Sequence, residues 1–225
     1  FSLSRGLGDV YKRQEIIFEW AFKNNIWIIS DELYEHLVYE GEKTPSPAIY
    51  DPELKNTIVV NGVAKAYAMT GWRVGWIIAN DEVISIAKKI QSHATSNVSN
   101  LSQIAATSAL QNGLEETNIM KEAFNKRRLS AFDVFNNIDN IKIAKPNGAF
   151  YLFPDISYYC NNKIKNVSNS TEFCDWLLEE HYIAFIPGEV FGAEGYFRCS
   201  YAISENELSE GLKSCLLYTS DAADE

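Results

Sequence analysis

The chain is poor in the residues that build metal centres, crosslinks and nucleic-acid surfaces. It has four cysteines in 225 residues, Cys160, Cys174, Cys199 and Cys215, and none stands in a C-x-x-C or Cys/His spacing. Neither a zinc site nor a disulfide framework is therefore expected, and the metal expectation is none. Its three histidines, His36, His93 and His181, are scattered, so no Ser/His/Asp or Cys/His arrangement supports a hydrolase. Basic residues are outnumbered, at 20 against 30 acidic ones, and the net charge of -10 argues against nucleic acid as a partner. No apolar run reaches the roughly 18 residues needed to cross a bilayer, and no basic, then apolar, leader opens the chain. These absences predict a cytoplasmic protein that acts on small molecules. Asn97-Val98-Ser99 and Asn166-Val167-Ser168 fit the glycosylation pattern, but without a secretory context they carry no weight.

Both ends read unlike protein. Ser4 to Gln14 and Cys215 to Glu225 resemble translated adaptor DNA used in sequencing-library preparation. Residues 1–14 and 215–225 are accordingly expected to be adaptor-derived, leaving an acidic insert from Glu15 to Ser214 that samples a longer gene.

Within the insert, Ile16, Ile17, Trp20, Ala21 and Phe22 are spaced as a helix with one buried face. Continuous apolar runs at 26–30, 57–60 and 74–78 predict strands covered on both faces, as in a parallel sheet. Helical spacing follows over 82–93, 100–111 and 114–137, the last carrying Asn125-Lys126-Arg127-Arg128 at a change of domain. Short strands are then predicted at 149–153, 183–186 and 196–201, with helices at 171–180 and 205–213. The polar, Asn-rich stretch 157–170 is expected to be a surface excursion. The fold class is α/β, with a mostly parallel sheet over 15–125, followed by a smaller α+β domain over 126–214.

The chemistry gathers on few side chains. Asp31 follows a buried strand directly, at the sheet edge where open α/β folds bind ligands, and Tyr34 lies three residues on. Lys65 follows the next strand, among small and apolar neighbours that would strip water from it. Desolvation favours the neutral amine, the nucleophile that Schiff-base chemistry requires. Arg73 precedes a third strand, where its planar fork suits a phosphate or a structural ion pair.

The segment Lys65-Ala66-Tyr67-Ala68-Met69-Thr70-Gly71-Trp72-Arg73-Val74-Gly75 resembles the Lys-x-x-x-Met-Thr-Gly-Trp-Arg-x-Gly signature of fold-type I, class I and II aminotransferases. The aspartate and aromatic branch is the nearest in pattern. Asp31-Glu32-x-Tyr34, Pro146 to Tyr151, and Pro187-Gly188-x-x-Phe191-Gly192 followed by Phe197-Arg198-Cys199-Ser200-Tyr201 match further motifs of that family in order. The resemblance implies a large domain binding pyridoxal 5'-phosphate (PLP), of which 15–125 is the C-terminal part. By the same resemblance Lys65 holds the cofactor and acts as catalytic base, while Asp31 pairs with its pyridine nitrogen. Tyr34 would contact its phenolic oxygen, Arg73 its phosphate, and Arg198 the substrate α-carboxylate. It implies amino-group transfer from an amino acid, aspartate first and aromatic acids next, to a 2-oxo acid, in a homodimer. Two alternatives share the motifs, a β-lyase or synthase of the same fold and the aminotransferase-like domain of a PLP-binding transcription regulator. Some relatives carry serine three residues before the lysine, where Gly62 stands here. The upstream family motifs are not found, so the chain by itself is expected to be inactive.

Overall fold

A computed structural model describes residues 7–41, 45–161, 164 and 167–221, with side chains between 13 and 213. Asn166 and the outermost residues of both expected adaptor segments lie outside these. The chain forms two compact units, Phe1–Lys121 and Glu122–Glu225, where the sequence predicted a change of domain after residue 125.

The first unit opens with helix α1, Leu7–Lys23, which runs through residues expected to be adaptor-derived. Its predicted buried face is largely open: Ala21 is buried, whereas Ile16, Ile17, Trp20 and Phe22 are exposed. Strands β1 (Ile28–Asp31), β2 (Thr57–Gly62) and β3 (Gly75–Ile78) follow, with helices α2 (Asp81–Ala94) and α3 (Asn100–Asn112). The sheet order is β1-β2-β3. β1 and β2 run parallel, from Ile28 opposite Thr57 to Asp31 opposite Val60. β3 is antiparallel to β2, with Gly62 opposite Gly75, which corrects the expectation that all three strands belong to a parallel set. The 12 residues between β2 and β3 hold only a 3-10 turn, Thr70–Trp72, and parallel strands need a longer crossover, usually a helix. β1 and β3 are also less covered than predicted, with Ile29 69% and Ile78 50% exposed.

A buried carboxylate fixes the approach to β2. Asp51 accepts hydrogen bonds from the amides of Lys55 at 3.0 Å and Asn56 at 2.9 Å. The Asn56 carbonyl in turn accepts from the Ile28 amide at 2.8 Å, which sets the β1 register.

Helix α4, Leu114–Asn136, begins in the first unit and ends in the second. In the second unit β4 (Tyr151–Leu152), β5 (Ile186–Pro187) and β6 (Phe197–Ser200) form an antiparallel sheet in the order β4-β6-β5. Helices α5 (Ser170–His181) and α6 (Glu205–Asp221) complete it. Its core is aromatic: Phe197 stacks on Phe185 at 4.4 Å and meets Phe135 of α4 edge-on at 5.7 Å between centroids. Arg128, buried on α4, donates to the Pro146 carbonyl at 2.6 Å and to Asn125 Oδ1 at 3.0 Å, tying the helix to the strand approach. Among its described residues, the stretch 157–170 is not a surface excursion. It buries Tyr159, Cys160, Ile164 and Val167, and the Tyr159 hydroxyl donates to the Asp139 carbonyl at 2.6 Å. A polar, Asn-rich composition concealed apolar anchors spaced along it. Among the described residues no helix is long and apolar enough to cross a membrane.

Candidate active site

Strand direction decides which side chains share an edge of the first sheet. β1 and β2 both end there, and antiparallel β3 starts there. Asp31 closes β1, Lys65 stands three residues past β2, and Arg73 lies two residues before β3. The topology thus brings these three predicted residues to one edge, as ligand-binding α/β sheets do at strand ends.

The loop carrying Lys65 is tightly folded by its own backbone. Ala68 N–H donates to the Lys65 carbonyl at 3.2 Å, Met69 N–H to Val63 at 3.3 Å, and Trp72 N–H to Met69 at 3.2 Å. Ala68 and Arg73 both adopt left-handed backbone, φ 52° and 55°, a conformation uncommon outside glycine. Val63 and Ala66 are buried on either side, and Lys65 itself is half-buried. Its Nζ lies 6.0 Å from the Tyr34 ring centroid, so amine and phenol share one neighbourhood. Asp31 Oδ1 accepts from the Leu33 amide at 3.2 Å, and among the described residues Oδ2 accepts no hydrogen bond. Arg73 is exposed, with one terminal nitrogen on the Thr70 carbonyl at 2.9 Å.

Gly62 has a steric reason. A Cβ there would stand 2.9 Å from the Val74 carbonyl oxygen and 3.1 Å from the Gly75 Cα, so the close approach of β3 excludes a serine without a backbone shift.

Behind the loop is a polar group that the motifs did not single out. Asn61 Nδ2 donates to Glu35 Oε1 at 2.7 Å, while Asn61 Oδ1 accepts from the Gly62 amide at 2.7 Å. His36 lies 3.6 Å from Glu35 and edge-on to Tyr67 at 5.9 Å. Burial, followed by the Glu35 charge, raises the Tyr67 phenol above its ordinary value. Glu35 and Asn61 are far apart in sequence, and only the parallel β1-β2 pairing unites them. An open cavity of about 670 Å³ adjoins this edge, lined by Asn61, Gly62, Ala64, Arg73 and Gly75 among others, but not by Asp31, Tyr34 or Lys65.

Arg198, the remaining predicted residue, lies on β6 of the second unit. Its guanidinium carbon is 4.5 Å from the Tyr151 ring centroid and 4.8 Å from that of Phe191. A second cavity of about 750 Å³, lined by Ser157, Cys160, Glu172 and Glu189 among others, includes none of the predicted residues. Burial lifts the nearby thiols, Cys160 to about 11 and Cys174 to about 12, which keeps them protonated and unreactive at neutral pH.

Known proteins resemble this chain in sequence and fold. The pattern of the family described as aminotransferase class I and II matches residues 5–214. An aspartate aminotransferase from Streptomyces avermitilis is 43% identical over 99% of this chain and 56% of its own length. A probable aspartate/prephenate aminotransferase from Aquifex aeolicus is 39% identical over 92% of this chain and 52% of its own. The crystal structure of an aromatic aminotransferase from Pyrococcus horikoshii OT3 superposes with a TM-score of 0.85 at 31% identity, covering 93% of this chain and 55% of that one. The chain thus spans about half the length of the relatives it matches.

Proposed function

This chain belongs to the class I and II aminotransferase family, and on that premise we propose that the whole protein transfers an amino group from an amino acid to a 2-oxo acid with PLP as cofactor. The observation that carries the reading is the convergence of Asp31, Lys65 and Arg73 on one sheet edge.

The residues suit that cofactor. They comprise a half-buried primary amine beside a phenol, a carboxylate with one oxygen unused among the described residues, and a guanidinium exposed at the same edge. Bound PLP supplies an aldehyde for covalent attachment of amines and a ring that accepts electrons from the substrate α-carbon. Lys65 would anchor it and, once displaced by the substrate amine, take the α-proton as general base. The Asp31 carboxylate would hold a proton on the ring nitrogen, the Tyr34 hydroxyl would bond the phenolic oxygen, and Arg73 would take the phosphate. Arg198 would grip the substrate α-carboxylate with its planar fork. The names of the relatives favour aspartate as donor, with aromatic amino acids next. The homodimer and a cytoplasmic location belong to the same proposal.

The test uses the full-length protein loaded with PLP, an amino acid labelled at its amino nitrogen, and 2-oxoglutarate. Label appearing in glutamate supports the reading. Label released as ammonia would indicate a lyase instead, and no transfer from any amino acid would defeat the assignment.

A further inference from the structure

The Arg198 guanidinium is held without a charge partner. Among the described residues it makes no hydrogen bond and no ion pair, yet it is half-buried and lies over two aromatic rings. Both rings are placed by the fold. Tyr151 faces Ser200 across the β4-β6 pair, so Arg198, two residues earlier on β6, is its diagonal neighbour on the same sheet face. The opposite face carries Phe197, Cys199 and Leu152 into the core. Phe191 ends the 3-10 turn Gly188–Phe191, and two glycines shape that turn. A Cβ on Gly188 would lie 2.7 Å from the Tyr196 carbonyl oxygen and closer still to that of Ala193, while Gly192 closes the turn at φ 70°. Phe153 meets Phe191 edge-on at 6.0 Å and is itself stacked on Tyr196 at 5.3 Å, which braces the ring. Phe191 nonetheless remains 47% exposed, so core burial does not account for it.

Aromatic rings interact with the flat face of a guanidinium and leave its N–H edge open, which is the edge a carboxylate grips. An arginine already held in this way has less freedom to lose on binding an anion. We propose that Tyr151 and Phe191 are positioning residues that set Arg198 for the substrate α-carboxylate. This rests on the reading of Arg198 given above.

The test is steady-state kinetics of the full-length, PLP-loaded protein carrying Tyr151→Leu, Phe191→Leu, the conservative Tyr151→Phe and Phe191→Tyr, and each leucine change combined with Arg198→Leu. Each single leucine variant is expected to raise the KM for both the amino acid and the 2-oxo acid about 3- to 30-fold. The same variants should change kcat by less than about two-fold. The conservative variants should restore the parental KM, and in the Arg198→Leu background the leucine changes should add nothing. A raised KM on Arg198→Leu alone, with none on the ring variants, would overturn the positioning role and leave the carboxylate reading intact. Ring effects that persist without Arg198, or that fall on kcat with KM unmoved, would also overturn it. An unchanged KM on Arg198→Leu would remove the carboxylate reading and this inference together.

Discussion

Asp51 shows how one side chain sets the frame on which the proposed cofactor residues sit. Its burial would raise the carboxyl, but the hydrogen bonds from the amides of Asn56 and Lys55 hold it below the ordinary aspartate value. The sign follows from proton linkage. A carboxyl with a lower value folded than unfolded contributes fully above about pH 4, and that contribution is lost as the pH falls through the folded value. Asp51→Asn is therefore expected to cost about 1.5–3 kcal/mol near neutrality, read from urea denaturation of the chain. The parent and variant should converge as the pH falls through the folded value of Asp51. A gap that stays constant over that interval would show that the ionised carboxylate is not the stabilising species. Asp51 escaped the sequence reading because its partners are backbone amides, and composition carries no trace of them.

At the scale of elements, the helices were legible and the direction of strands was not. Apolar spacing placed α2, α3 and α5 within a residue or so of their ends, although of the three only α5 buries an apolar face, with Phe173, Cys174 and Leu177, while α2 buries no residue and α3 only Ala106. The direction of β3 depends on what connects it to β2, and an apolar run says nothing of that. The missing helix between Gly62 and Gly75 was the usable signal. The site divides in the same way. Lys65 and Arg73 stood out because local spacing carries their motif, whereas the Glu35–Asn61 bond and the Tyr151 ring over Arg198 exist only through pairing of distant strands. Caps give a direct check on helix ends. Asn169 accepts from the Glu172 amide at 2.9 Å, and Glu172 Oε2 returns to the Ser168 amide at 2.7 Å, while Ser99 before α3 makes no side-chain cap. Asn169→Ala should lower stability by about 1 kcal/mol and Ser99→Ala by close to nothing in paired urea melts. Equal losses from the two would contradict the capping assignment.

At the scale of the molecule, about half the length of the relatives is represented here, and apolar side chains such as Trp20, Ile29, Ile78 and Leu101 stand exposed. The residues proposed to hold PLP in this chain are named by their positions on one sheet edge. The direct test is to load the full-length protein with PLP, reduce with borohydride and map the labelled peptide by mass spectrometry. A phosphopyridoxyl group on Lys65, absent in Lys65→Ala, is the predicted result. Label on a different lysine, or none on either protein, would contradict it.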